Sequence, residues 1–396
     1  AYTQGVNCIA IGDRAGESGQ MDNSIAIGSM AGQSGQSIYA IAIGTSAGKT
    51  GQSSQAIAFG HLAGQQNQNQ ASISIGLHAG NTDQSTNAIA IGSYAGTTQQ
   101  GIETVAVGKL AGRTRQKEYA IAIGVQAGHQ DQQQSAISIG QSAGASQQGT
   151  GSIALGQYAG QFGQFNNAVA IGVLAGHTGQ GIASIAIGAS AGAVHDGILG
   201  GHACIAIGAQ AGQYRQGNSS IAIGSLAGMS GQGASSIAIG ANAGLTGQGY
   251  QSIAFGYNAG NLNQQNNAIA IGADAGQTGQ GQDAIAIGTS SGYNSQQSQS
   301  IAIGKNAGVD DQSQNAIAIG ASAGFRTQAR AAIAIGLHAG HTSQDLSAVA
   351  IGQEAGAYFQ GSGSIAIGVQ AGQTSQAFKS LAIGQEAGEY QQNSLA

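Results

Sequence analysis

The residues that could do chemistry are few and scattered. Four residues of metal-ligand type gather once, at His195, Asp196, His202 and Cys204, but their spacing matches no standard zinc pattern. Gly44-x-x-x-Gly48-Lys49-Thr50 is one residue short of a phosphate-binding loop. Other histidines sit in variable slots of scattered coils, at His78, His129, His177, His338 and His341. One basic group, Lys109, Arg113, Arg115 and Lys117, reads as a solvated turn region in a chain of net charge −5, which gives no reason to expect nucleic acid. No acid–base pair, nucleophile with its base, or position-specific Asp ladder for calcium is present. The expectation is a non-enzymatic protein without a cofactor or metal.

What positions these residues is a repeat. Ile9-Ala10-Ile11-Gly12 returns as Ile25-Ala26-Ile27-Gly28 and continues to Leu381-Ala382-Ile383-Gly384, in 24 copies spaced by 16 residues except for one gap of 20. With the first Ile as position 1, the unit reads Ile-Ala-Ile-Gly-x-x-Ala-Gly-x-x-x-Gln-x-x-x-(Ala/Ser). Positions 4 and 8 are Gly in all 24 copies. Position 7 is Ala except for Ser291, and position 12 is Gln except for Asp196. A fixed short period is the signature of a stacked architecture.

Alternating β-branched residues at positions 1 and 3 argue for a strand. Two glycines per unit weaken a helix but serve a corner well. The expected fold is therefore all-β: a parallel β-solenoid, or β-roll, of 24 coils. Each coil would be one short strand, a Gly-cornered turn, a second extended segment near positions 9 to 13, and a turn back. With strands about 4.8 Å apart, 24 coils would run on the order of 115 Å. The expected division is one solenoid over 1–396: a partial coil at 1–8, eleven coils over 9–184, an irregular coil at 185–204 with four extra residues, and twelve coils over 205–396. The insertion around 193–204 reads as a bulge loop, with a subunit contact or a metal site as alternatives.

Stacking turns like residues into ladders. Ile9, Ile11, Ile25, Ile27, Ile41 and Ile43 are expected to form the apolar core ladder. Gln20, Gln36, Gln52 and Gln68 are expected to form an amide ladder. Its strict identity favours an inward side chain that satisfies turn carbonyls over a solvent-facing stack. The opposite strand face carries only small groups, Ala or Ser at positions 2 and 16, with Ser74, Ser138, Thr104, Cys8 and Cys204 among them. Two Ile per coil would not offset the ordering of sixteen backbones. A flat, small-residue face is then expected to pack on copies of the same chain, through Ala10, Ala26, Ala42 and the position-16 cysteines Cys8 and Cys204. These two lie on the order of 60 Å apart, which excludes a disulfide between them.

The run Ala-Ile-Ala-Ile-Gly-x-x-Ala, as in Ala40 to Ala47 or Ala316 to Ala323, resembles the head repeat of trimeric autotransporter adhesins, and similar repeats occur in viral and phage fibres. The resemblance runs along the whole chain but covers about half of each unit; the Gly-x-x-x-Gln half lies outside it. It implies a left-handed parallel β-roll with three chains side by side. No stretch approaches a transmembrane helix, and no signal peptide is visible. Neither end shows a polar cap, so the ends are expected to be cropped or to stack into a fibre.

The functional expectation is a structural, self-assembling extracellular or surface filament whose partner is itself. The alternative is an adhesin head or viral fibre that binds a host or matrix surface. A second alternative is an ice-binding solenoid, since a flat Ala/Ser or Thr ladder suits ice. The Thr column at position 10 (Thr50, Thr82, Thr98, Thr114, Thr178) is interrupted by Gln66, Phe162, Arg326 and Tyr390.

Overall fold

The computed structural model describes residues 4–193 and 201–390. It is an all-β parallel solenoid with a 16-residue rise from coil to coil, and it divides into two compact units, Ala1–His202 and Ala203–Ala396. In the first unit, twelve three-residue strands from Ile9–Ile11 to Ile185–Ile187 build a front wall. Each pairs in parallel with its equivalent one coil on, Ile9 opposite Ile25 and Ile41 opposite Ile57. The second unit repeats the wall with twelve strands from Ile205–Ile207 to Leu381–Ile383.

Positions 10 to 12 form the rear wall. In the first unit, strands from Ser34–Gln36 to Thr114–Gln116 pair in the same register, and single bridges carry the pairing on through Gln130, Ser146, Phe162 and Thr178. In the second, Tyr214–Gln216 and Ser230–Gln232 pair. Bridges then run from Thr246 to Asn294, and strands from Asp310–Gln312 to Thr374–Gln376 follow.

The corners explain the invariant glycines. Gly44 at position 4 has φ +126, and a Cβ there would sit 2.6 Å from the carbonyl oxygen of Gly60 in the next coil. Gly48 at position 8 has φ +50, and its Cβ would sit 2.6 Å from Gln52 Oε1. Position 6 is left-handed too, yet carries Leu62 (φ 58), His78 (φ 53) and Tyr94 (φ 57), a conformation that costs a non-glycine residue roughly 1–2 kcal/mol. The turn is held there by the backbone: Ser46 N–H donates to Ser29 O in the preceding coil, and Gly48 N–H to Ala63 O in the next.

The interior is the reverse of the expected one. The small residues point in. Ala26, Ala42 and Ala58 at position 2, and Ala31, Ala47 and Ala63 at position 7, are fully buried and pack into one cluster. Ala40 and Ala56 at position 16 are equally buried. The isoleucines face out: Ile25, Ile27, Ile41 and Ile43 are half-buried, and Ile9 and Ile11 in the first described coil are exposed. The physical reason is the thinness of the coil. The two walls stand close enough for one Gln side chain to bridge them, which leaves room for a methyl group and not for a branched butyl group.

Since a Cβ on Gly60 at position 4 would sit 2.7 Å from the carbonyl oxygen of Gly76, Gly60→Ala should cost about 2–4 kcal/mol through strain and collision. Hydrogen exchange should show the loss spreading outward from that coil, and a uniform loss along the unit would contradict the stacked account.

Candidate functional site

The repeated feature with the most chemistry is the Gln at position 12. Gln52 Nε2 donates across the interior to Ile41 O (2.8 Å) in the front wall, to Ala56 O (3.1 Å) in the closing turn, and to Gln68 Oε1 (3.2 Å) in the next coil. Gln36 makes the same three contacts, and Gln20 donates to Ile9 O and Ser24 O. Gln20, Gln36, Gln52 and Gln68 are no more than 1% exposed. The strap ties the two walls and the ladder ties the coils. It also explains why Gly stands four residues before each Gln, because Oε1 occupies the space a Cβ would take. Ser74 replaces Ala at position 2 without a void, donating to Gln84 Oε1 at 2.6 Å.

The proposed contact residues lie inside this architecture. Ala26 and Ala42 are fully buried and Cys204 is 2% exposed, so none of them can meet another chain. Ala10 and Cys8 are accessible because their coil, the first described, has a neighbour on one side only. Cys204 Sγ donates to Gly217 O, as the position-16 Ser220 Oγ does, so a thiol fills a hydroxyl's slot. The Ala/Ser strip that would have met ice is likewise internal.

The other sequence candidates separate. His195 and Asp196 lie outside the described residues, while His202 Nδ1 accepts the Ile182 N–H at 3.0 Å. Among the described residues, no group of three His, Cys, Asp or Glu stands where it could hold a metal ion. Gly44 to Gly48 is an ordinary corner, and Thr50 enters the rear wall opposite Gln66. Arg115 pairs with Asp131 at 2.6 Å in the next coil. Lys117 sits two residues on, at position 13, while Lys109 and Arg113 occupy the opposite corner, so the basic group is spread round the coil.

The outer faces carry what the sequence reading assigned to the interior. Positions 1 and 3 form two parallel columns of Ile and Val along the front wall of each unit. Ile91, Ile123, Ile271 and Ile335 remain 36–38% exposed although each is flanked above and below. Exposed Leu77, Val125, Val173 and Leu337 at position 5 widen the strip. Soluble monomers rarely expose contiguous apolar strips of this extent, and larger ones mark interaction surfaces. A different corner gathers rings: His78 stacks on Tyr94 at 4.8 Å, and His341 on Phe325 at 5.1 Å. Desolvation first, and then the charge of His61, lowers the His78 pKa. Burial, then His338 and Arg326, lowers that of His341. Burial and Arg113 do the same for His129.

Two stretches of the sequence, residues 133–159 and 346–371, match the YadA head domain repeat. The chain carries YadA head domain repeats. No curated protein matches it. The first match spans the front-wall strands Ile137–Ile139 and Ile153–Leu155 with rear-wall Ser146 between them, and the second spans Val349–Ile351 and Ile365–Ile367 with the rear-wall strand Tyr358–Gln360 between them. Each match is longer than one coil, so it takes in the front wall that bears the apolar columns and the rear-wall residues between, in both units.

Two outcomes follow. Gln52→Leu strands the carbonyls of Ile41 and Ala56 and the amide of Gln36, at about 2–4 kcal/mol. Gln52→Glu sets a carboxylate against the same two carbonyls and should be worse at pH 7 than at pH 4, where it is protonated. Chemical denaturation at both pH values distinguishes the two effects. Separately, the three histidines have folded pKa values below the free value, so folding favours their neutral forms. Their contribution is complete above about pH 6.5 and is lost as pH falls through the lowered folded values. The melting temperature should drop between pH 7 and 5, and the triple variant His78→Gln, His129→Gln, His341→Gln should flatten that drop.

Proposed function

We propose that this chain is an adhesin-type surface module: a rigid β-roll head displayed outside the cell and packed laterally on copies of itself, three chains side by side. The observation that carries the reading is the apolar strip on the front wall, mostly Ile and Val with Phe59, Leu155 and Phe255 among them. The YadA head matches include part of it, and Ile25, Ile41, Ile57 and Ile73 repeat along it at a single register. A strip that repeats at one spacing is self-complementary, which suits a like partner carrying the same columns. Burying two large apolar side chains per coil supplies the hydrophobic stabilisation that an interior of Ala, Ser and Gln cannot. The family match favours this display role over a free-standing filament, because it concerns a head repeat that presents a surface. Localisation outside the cell and binding to a host or matrix surface follow from the same likeness.

Sedimentation velocity tests the reading. The intact chain should sediment as a trimer at micromolar concentration. The variant Ile91→Lys, Ile123→Lys, Ile287→Lys, Ile319→Lys should sediment as a monomer with an unchanged far-ultraviolet spectrum. A wild-type monomer over that range would overturn the proposal.

A further inference from the structure

The rear wall is grooved, and always at the same register. In the first unit a cavity of about 490 Å³ is walled by Ser37, Gly51, Ser53 and Gln70, and one of about 460 Å³ by Asp83, Ser85, Gln99 and Arg115. In the second unit a cavity of about 410 Å³ is walled by Gln265, Gly279, Ser295 and Gln314, and one of about 330 Å³ by Thr327, Ser343, Asp345 and Phe359. Every one of these residues is at position 11, 13 or 14. The cause is local. Position 11 is left-handed, with φ near 54 at Gln99, Ser343 and Phe359. That throws its side chain outward just before Gln turns in. Positions 11 and 13 thus become two lips, with the rear-wall backbone as floor.

We propose that this groove binds an extended, uncharged, polyhydroxylated chain, a linear glycan. The lips are mostly hydroxyls and carboxamides, which donate to and accept from sugar hydroxyls equally well. The position-14 N–H groups of Thr150 and Tyr250 are already taken by Asn166 and Asn266 Oδ1 of the following coils, at 3.0 and 2.9 Å, so the side chains of the lips carry the recognition. Exposed ring faces stand at intervals, Phe359 at 62%, Tyr250 at 61% and Phe378 at 55%, and an apolar ring face suits the carbon-bound face of a pyranose. The lips repeat every 4.8 Å or so, close to the length of one hexopyranose in an extended chain, so successive sugars meet equivalent groups. A polyanion would need a row of cations. Two of the four cavities have no charged residue in their walls, and a third has only Asp345. A peptide adding as a strand would need an unpaired edge. In the rear-wall strands, positions 10 and 12 are paired on both sides, as Gln68 is with Gln52 and Gln84.

The proposal deepens the adhesin-type reading by giving the chemistry of its target, and it uses the wall across the Gln strap from the Ile/Val strip. The native chain has no Trp, so Phe359→Trp places a single reporter on the groove and Phe59→Trp a single reporter on the front wall. The full chain is titrated by calorimetry with hexamers of β-1,4-linked N-acetylglucosamine and β-1,4-linked glucose, with the coiled α-1,4-linked glucose hexamer as control. At least one extended hexamer should bind with millimolar or tighter affinity and at least tenfold above the control. It should shift the emission of Phe359→Trp and leave that of Phe59→Trp unchanged. The four-lysine front-wall variant should bind equally well, so failure of self-association and failure of the groove remain separate results. No heat with either extended hexamer, a shift only in Phe59→Trp, or equal binding of the coiled hexamer would overturn the proposal.

Discussion

The separation of the two walls is the constraint on which the rest depends, and one carboxamide sets it. Gln52 reaches from the rear wall to a front-wall carbonyl at 2.8 Å, and the same contact recurs through Gln312 and Gln344 at 2.8 and 2.6 Å. A buried amide is costly unless satisfied, so once the coil is built round it, neither wall can move without stranding polar groups. The consequences cascade. Only Ala, Ser, Cys or a single Thr (Thr104) fits beside the strap, position 8 must be Gly because Oε1 lies over it, and the Ile and Val residues are turned outward. The core is thus held by hydrogen bonds and methyl packing more than by bulk hydrophobic burial, and the bulk is left on the surface.

That inversion marks what the sequence made legible and what it hid. The solenoid, its period and its two extended segments per coil followed from Ile-x-Ile spacing and invariant glycines. The facing of the strand did not, because alternation gives two faces and says nothing about which is inside. The default places the larger side chains in the core, and that default rests on a core wide enough to hold them. The deciding signal was present in the tolerance of each column. Position 3 accepts Phe59, Leu155 and Phe255, whereas position 2 accepts only Ala or Ser over the whole chain. A column that admits a phenyl ring is open to solvent or to a partner, and one that never exceeds a hydroxymethyl group is walled in. Ser74 and Ser138 add that the wall includes an amide. The groove was hidden for another reason: it arises from a left-handed backbone at position 11, where side chains as different as Arg115, Asp311 and Phe359 adopt one conformation.

Placing the methyl-lined core inside and the β-branched columns outside also divides the labour between faces. The strap, the corners and the alanines repeat with almost no variation, so the scaffold is the same at each described sixteen-residue coil. The front wall presents apolar columns suited to a like surface, and the rear wall presents polar lips that vary from coil to coil. A lateral assembly through the first leaves the second facing outward, so a display module can be both cohesive and selective without one demand compromising the other.

Such uniformity creates a hazard that the variable positions answer. A core of identical coils is indifferent to a slip of one whole repeat, since every Ala, Gly and Gln finds an equivalent seat. Discrimination must come from residues that differ between neighbours. Arg115 finds Asp131 in the next coil and would meet Gln147 after a further slip. Asn67 donates to Asp83 Oδ1, Asn267 to Asp283 Oδ1 and Asn294 to Asp310 Oδ1, each across one coil boundary. Individually such exposed pairs contribute little to stability. Their value is in the difference between the correct stack and the shifted one, which the core cannot distinguish. The outer positions that look free to vary are therefore constrained pairwise, and register is written on the surface because the interior has no means of recording it.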